Sequence, residues 1–308
     1  MKIFFHNFDP NSNSGPNKFT RQLFQSMVKS KKVSFSNSQD NCDVEFSLIQ
    51  LTKEKKKPMI LRLDGIYFNL SQDYRNQNAP IKYSYDAADA VIFQSEFNKN
   101  LTEFYFGPHK NSSIVHNYPD TEAIDNISTD FVDKIIDKSI DVWSCASSWR
   151  PHKRLEDNLR YFNEKSYKNS VMLVAGKNAD ISVIKKYNSI TKGRIYYLGD
   201  LSYEDLVSVY KRSSTFVHLS YLDHCPNVVV DAQAAGAKII CSSSGGTKEI
   251  VKNGEVIIEP EWDFRPIKLY EPPTLDFDNY IIKSSMEKTK NIHDASKMYF
   301  EKMRSIIQ

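Results

Sequence analysis

The chain has 308 residues, 40% of them apolar and 26% charged, a length that suits two ordinary lobes with substantial cores. This composition excludes a largely disordered chain, and no apolar stretch approaches a membrane span. With 41 basic against 38 acidic side chains the net charge is +3, which gives no general reason to expect a nucleic-acid partner. From the amino terminus, β-rich runs at Lys2 to Phe5, Val44 to Ile49, Met59 to Leu63, Ala90 to Gln94 and Ser113 to Val115 alternate with amphipathic segments. That order predicts a parallel sheet with helical crossovers. A first helix is expected from about Lys18 to Val28, where Phe19, Leu23 and Met27, with Phe24 and Val28 beside them, form one buried face.

An acidic, polar stretch from Asp120 to Ser139 marks a junction, after which a second strand-helix series begins at Ile140 to Cys145. Strands are expected near Val171 to Ala175, Arg194 to Leu198, Thr215 to Leu219, Lys238 to Cys241 and Val256 to Ile258. Helices are expected near Leu155 to Asn163, Tyr203 to Arg212 and Asn227 to Ala235, giving a second Rossmann-type lobe. Pro260 to Pro273 is expected to be irregular, and a final amphipathic helix lies near Ala295 to Ile307. The division that follows is a first lobe over 1–134, a second over 135–290, and a C-terminal helix over 291–308 that is free to pack back on the first lobe.

The most informative stretch is SYLDHCPNVVVDAQAAGAKIICSSSGGTKEIV, from Ser220 to Val251. Pro226 suits the first position of a helix and Gly236 its left-handed end, so the two frame about ten helical residues. The helix follows a strand directly, which puts its start on the usual ligand side of an open α/β lobe. Its free N–H groups, from Asn227 through Val228 to Val229, and its dipole favour an anion such as a diphosphate. Asp231, about one turn further in, is placed to accept from ribose hydroxyls. Asp223, before the helix, is placed toward the far side of a diphosphate. Taken as an isolated pair, the same two residues would read as solvated loop and helix side chains.

Two acidic residues separated by seven others, around a helix entered through proline, resemble the E-x7-E motif of family-four retaining glycosyltransferases, with Asp in both places here. Gly245, Gly246 and Glu249 match that family's following loop. The resemblance implies an α/β fold of the GT-B type, two Rossmann-like lobes facing a central cleft, and a nucleotide-diphosphate sugar as donor. In CASSWRPHKRLED, from Cys145 to Asp157, it implies that Lys153 neutralises donor phosphates; the usual Arg position falls near Ser147 or Ser148, and its role is assigned to Arg150.

In NSNSGPNKF, from Asn11 to Phe19, Gly15 would let the backbone approach the diphosphate from the opposing lobe. In ILRLDGIYFN, Asp64 would orient the donor sugar or the acceptor hydroxyl, or simply end a strand. HNYPD, from His116 to Asp120, resembles a family loop and reads as architecture. The backbone from Leu198 to Leu201 would face the nucleobase. The implied reaction is retaining transfer without a metal to a glycan or other hydroxyl acceptor. A GT-B-type sugar-nucleotide epimerase or phosphorylase, and a sugar-nucleotide binding protein without turnover, are the competing readings.

His224 and Cys225 are adjacent without an orienting third group, so they read as pocket wall rather than a nucleophile-base dyad. Lys53 and Lys55 to Lys57 form a basic cluster that is either solvated or in contact with an anionic acceptor or a membrane surface. Cys42, Cys145, Cys225 and Cys241 lack CxxC spacing and read as reduced thiols. With a first apolar run too short for a signal-peptide core, a cytoplasmic location is expected and the sequons at Asn69, Asn100, Asn111 and Asn126 carry no weight.

Overall fold

The computed structural model describes residues 1–12, 14–285 and 290–308; Asn13, inside the Asn11 to Phe19 motif, and residues 286–289, at the end of the expected second lobe, lie outside the described residues. Six strands form the first sheet: β1 (Lys2–His6), β2 (Ser34–Phe35), β3 (Val44–Leu48), β4 (Met59–Leu63), β5 (Ala90–Phe93) and β6 (Ser112–Ile114). Their order is β2-β1-β3-β4-β5-β6 and every pairing is parallel. The crossovers are α1 (Gly15–Lys29), α2 (Tyr74–Ala87) and α3 (Glu96–Phe106), and the short helices α4 (Thr121–Asp125) and α5 (Asp130–Asp133) lead out of the sheet.

The second sheet contains β7 (Asp141–Ala146), β8 (Ser170–Ala175), β9 (Ile195–Gly199), β10 (Thr215–His218), β11 (Lys238–Ser242), β12 (Asn253–Ile257) and β13 (Tyr280–Ser284). Its order is β13-β12-β11-β10-β7-β8-β9, with only β13 antiparallel to its neighbour. Helices α6 (Leu155–Lys165), α7 (Ile181–Ile190), α8 (Tyr203–Arg212), α9 (Asn227–Ala234) and α10 (Thr247–Ile250) connect these strands, and α11 (Ile292–Ile307) closes the chain. Strand order reverses between β7 and β10, so the loops after these two strands diverge and open a crevice at their carboxyl ends.

Helix α1 starts earlier than its apolar periodicity suggests, because Pro16 occupies the first turn, where a missing N–H costs nothing. Phe19, Leu23, Phe24 and Met27 are buried, whereas Val28, expected on the same face, is 42% exposed. It lies on the flank of the helix, beyond the stripe that the sheet covers. The opposite side of this core is closed by α11, whose Ile292, Ala295, Tyr299 and Met303 join Phe19 and Phe46. Pro226 caps α9 instead of occupying its first position, and its carbonyl accepts the N–H of Val229 at 3.1 Å. Among the described residues, the N–H groups of Asn227 and Val228 are therefore left open at this terminus, and that of Val229 is not.

The segment between β12 and β13 returns to the first lobe. Trp262, Phe264, Ile267 and Leu269 pack on the core that holds Phe68 and Phe93, and Ile267 pairs with Asn69. Arg154 fastens the start of this segment: its guanidinium donates to both carboxylate oxygens of Glu259 at 2.8 and 2.7 Å and to the Pro273 carbonyl at 2.8 Å. A second tie is His152, whose ring stacks on Tyr270 at 5.5 Å. Elsewhere, Lys55 and Lys56 of the basic cluster pair with Asp89 and Asp40, and Lys53 lies over the Phe4 ring. The four cysteines are free, and among the described residues no helix is long and apolar enough to cross a membrane.

Removing one partner of a buried ion pair leaves the other charge uncompensated, so Glu259→Ala should lose about 3–5 kcal/mol in denaturant unfolding. Burial, reinforced by Lys153 and Arg150 and opposed by Asp223, pushes His152 down to about 3. Its unfolded value is about 6.5, so below that pH the unfolded chain binds the extra proton and stability falls. At pH 5 this group alone should cost about 2 kcal/mol relative to pH 7. Melting curves of wild type and His152→Gln between pH 5 and 7 check this, the variant showing the shallower dependence.

Candidate active site

The carboxyl edges of the two sheets face one another and enclose a cavity of about 420 Å³, within the range that holds a small ligand. Its lining brings together Gly15 and Asp64 from the first lobe with Arg150, Lys153, Asp223, Asn227 and Val228 from the second. A smaller pocket of about 160 Å³ shares Ser147, Ser148 and Val228 with it and continues to Leu201, Asp200 and Gly176. Leu198 does not reach this pocket. It packs instead, partly buried, against Val142, Leu173 and Val209.

Asp223 is held from three sides. Its Oδ2 accepts from Lys153 Nζ at 2.5 Å and His218 Nε2 at 3.0 Å, and its Oδ1 accepts the His224 N–H at 3.0 Å. Burial opposes ionisation of this carboxyl, but Lys153 and His218 override it and hold Asp223 well below the usual carboxylate range. His218 is itself pushed down by burial, although Asp223 pulls the other way. Lys153 sits at the end of a single 3-10 turn, Pro151–Lys153, directly after β7, and Arg150 stands exposed before it.

On the first-lobe side, Asp64 accepts from Arg62 Nε at 2.7 Å. Burial pushes its carboxyl up against the pull of that guanidinium. Arg62 also donates to Asn117 Oδ1 at 3.0 Å, and Asn117 Nδ2 reaches Asn227 Oδ1 at 2.7 Å and the Cys225 carbonyl at 2.9 Å. Asn227 Nδ2 in turn donates to the Gly15 carbonyl at 3.0 Å. The start of α9 is therefore fixed by first-lobe groups. Asn117 belongs to the HNYPD loop, so that loop forms part of the cavity wall as well as the architecture.

Asp231 lies one turn along α9 and does not line the cavity. Its carboxylate accepts from Lys18 of α1 at 3.0 Å, and that ammonium lies 3.7 Å from the centre of the Tyr203 ring. Burial raises the Asp231 carboxyl, with Lys18 opposing. Lys18, Asn117, His218 and Gln94, which also lines the cavity, are assigned no role by any motif of the sequence; the nearest signals are the position of Lys18 one turn after Gly15, and of Asn117, Gln94 and His218 near strand ends. Glu249 accepts the N–H groups of Glu96 and Phe97 at 2.7 and 2.8 Å, so a second-lobe carboxylate caps first-lobe helix α3. Among the described residues no group of three His, Cys, Asp or Glu is placed to hold a metal ion.

Arg150, Lys153 and the open N–H groups of α9 offer positive charge and donors, while Asp64 and Asp223 offer acceptors. An anion bonded to a polyhydroxylated group complements both kinds of group. A family model described as "Glycosyl transferases group 1" matches residues 133–264. An uncharacterized glycosyltransferase of Methanocaldococcus jannaschii is 25% identical over 260 residues, which cover 77% of this chain and 64% of the relative, so the match spans less than two thirds of that protein.

Among solved structures, sucrose-phosphate synthase of Thermosynechococcus elongatus superposes with a TM-score of 0.68 at 11% identity, over 100% of this chain and 95% of that one. HepE of Anabaena, in complex with UDP and glucose, gives 0.62 at 12% identity, over 98% and 95%. At such identities these likenesses establish the fold. Residues 133–264 thus match the model of the group 1 glycosyltransferases, and the chain as a whole has the GT-B fold.

Proposed function

We propose that the protein is a retaining glycosyltransferase that moves a sugar from a nucleotide-diphosphate donor to a hydroxyl of a glycan, lipid or protein-linked acceptor without a metal. The observation that supports this best is an interlobe cavity that gathers Arg150, Lys153 and the start of α9 with the carboxylates of Asp64 and Asp223. In this reading the diphosphate lies against Arg150, Lys153 and the start of α9, with the nucleobase toward Leu201 and the sugar between Asp64 and Asp223. HepE, which shares the fold, is in complex with UDP and glucose.

The acceptor oxygen attacks the anomeric carbon from the face that the diphosphate leaves, so the configuration is kept. The bond from that carbon to the phosphate oxygen breaks as the new bond forms, and a phosphate oxygen takes the acceptor's proton. Lys153 neutralises charge that grows on the leaving diphosphate, which is electrostatic preorganisation. Two side-chain cations and a helix terminus supply the stabilisation that a metal would otherwise give.

Release of nucleoside diphosphate from UDP-, ADP- and GDP-glucose, followed by chromatography with a mixed oligosaccharide acceptor pool, tests the reading. Lys153→Ala should lower kcat about a hundredfold or more, and because it leaves Asp223 without its cation it should also lower the melting temperature without ligand. Binding by wild type without release in any acceptor pool would favour a binding protein instead. Absence of binding to every nucleotide and nucleotide sugar would sink the proposal.

A further inference from the structure

His224 is a second-lobe residue that enters the first lobe. Its imidazole packs beside Phe97, and a Cβ added at Gly65 would come within 2.8 Å of its Nε2. Gly65 therefore provides the notch that admits the ring, and its φ of +145° suits glycine for a second reason. Asn98 settles the tautomer. With its amide oriented so that both ends are satisfied, Oδ1 accepts from His224 Nδ1 and from the Gly65 N–H, each at 3.1 Å, while Nδ2 donates to the Leu63 carbonyl.

The proton is thus on Nδ1, and Nε2 carries a lone pair. Burial, against the pull of Asp223 and with Lys153 assisting, pushes the ring down to about 4, so it is neutral near pH 7. No protein donor meets Nε2 among the described residues, and His224 lines the cavity beside Asp64 and Asp223.

We propose that His224 Nε2 accepts a hydrogen bond from a hydroxyl of the transferred sugar and thereby sets which sugars the cavity holds. This rests on the glycosyltransferase reading above. An uncharged acceptor in a cavity that also carries two carboxylates favours a neutral polyhydroxylated ring over an anionic group. A site built to accept from a hydroxyl discriminates against ligands that lack it.

Calorimetry separates the sugar from the nucleotide. Wild type, His224→Phe and His224→Gln are each titrated with UDP-, ADP- and GDP-glucose and with UDP, ADP and GDP. For the nucleotide that binds, Phe keeps the ring shape but loses the lone pair, and should weaken the nucleotide sugar about tenfold. Gln restores an acceptor at the tip and should recover most of that loss, while bare nucleotide stays within about twofold throughout. Equal weakening of bare nucleotide and nucleotide sugar, or no weakening of either, overturns the assignment of His224 alone, as does a wild type that gains nothing from the sugar. Should the Phe variant fail to fold, His224→Ala takes its place, and added imidazole should then restore affinity for the nucleotide sugar. A wild type that binds none of the six ligands removes the glycosyltransferase reading and this inference together.

Discussion

Parallel strand direction is the constraint on which the site depends. In a parallel sheet every strand delivers its following loop to the same edge, and every crossover helix begins there. Two such sheets, joined edge to edge across a cleft, bring Gly15 and Asp64 from one set of loops against Arg150, Lys153 and Asn227 from the other. The reversal of order between β7 and β10 opens the second sheet where the Lys153 turn and α9 emerge. Chemistry follows from topology because the loops have nowhere else to meet.

Within that cleft the electrostatics are arranged in compensated steps. Asp223 is ionised in a buried place only because Lys153 and His218 both point at it. Asp231 leans on Lys18 from the other lobe, and Asp64 on Arg62. Each acceptor is thus held in place by a cation or a neutral donor before any ligand arrives, so little reorganisation is left for binding. The Lys153 ammonium is bonded to Asp223, so any anion that bound Lys153 would compete with that carboxylate.

How much of this the sequence disclosed depended on whether the signal was local. Helix α8 was read residue for residue because Ser202 caps it and acidic and basic side chains flank its ends. Helix α9 was legible through Pro226 and Gly236, although the proline proved to be the cap. Helix α2 was missed because Pro80 interrupts its pattern and its buried face includes the polar Asn78 and Ser84, of which Asn78 is bonded to the Tyr67 backbone outside the helix. Strand β13, exposed and antiparallel at the sheet edge, carries no burial pattern at all. The cavity residues followed the same rule. Lys153, Asp223 and Asn227 stood in recognisable motifs, whereas Lys18 and Asn117 gain their roles from partners more than a hundred residues away.

The cap on α3 bears on how the two halves part. Glu249 satisfies the N–H groups of Glu96 and Phe97 from across the cleft, and at Gly246 a side chain would collide with Ser95 and the His224 carbonyl. The seam is therefore zipped by polar groups at van der Waals distance, with no large aliphatic surface needed at that point. When such a seam opens, water takes over both the carboxylate and the helix terminus, and little net hydrogen bonding is lost. A joint of this kind closes with a definite register, and at that point it separates with little loss of apolar contact.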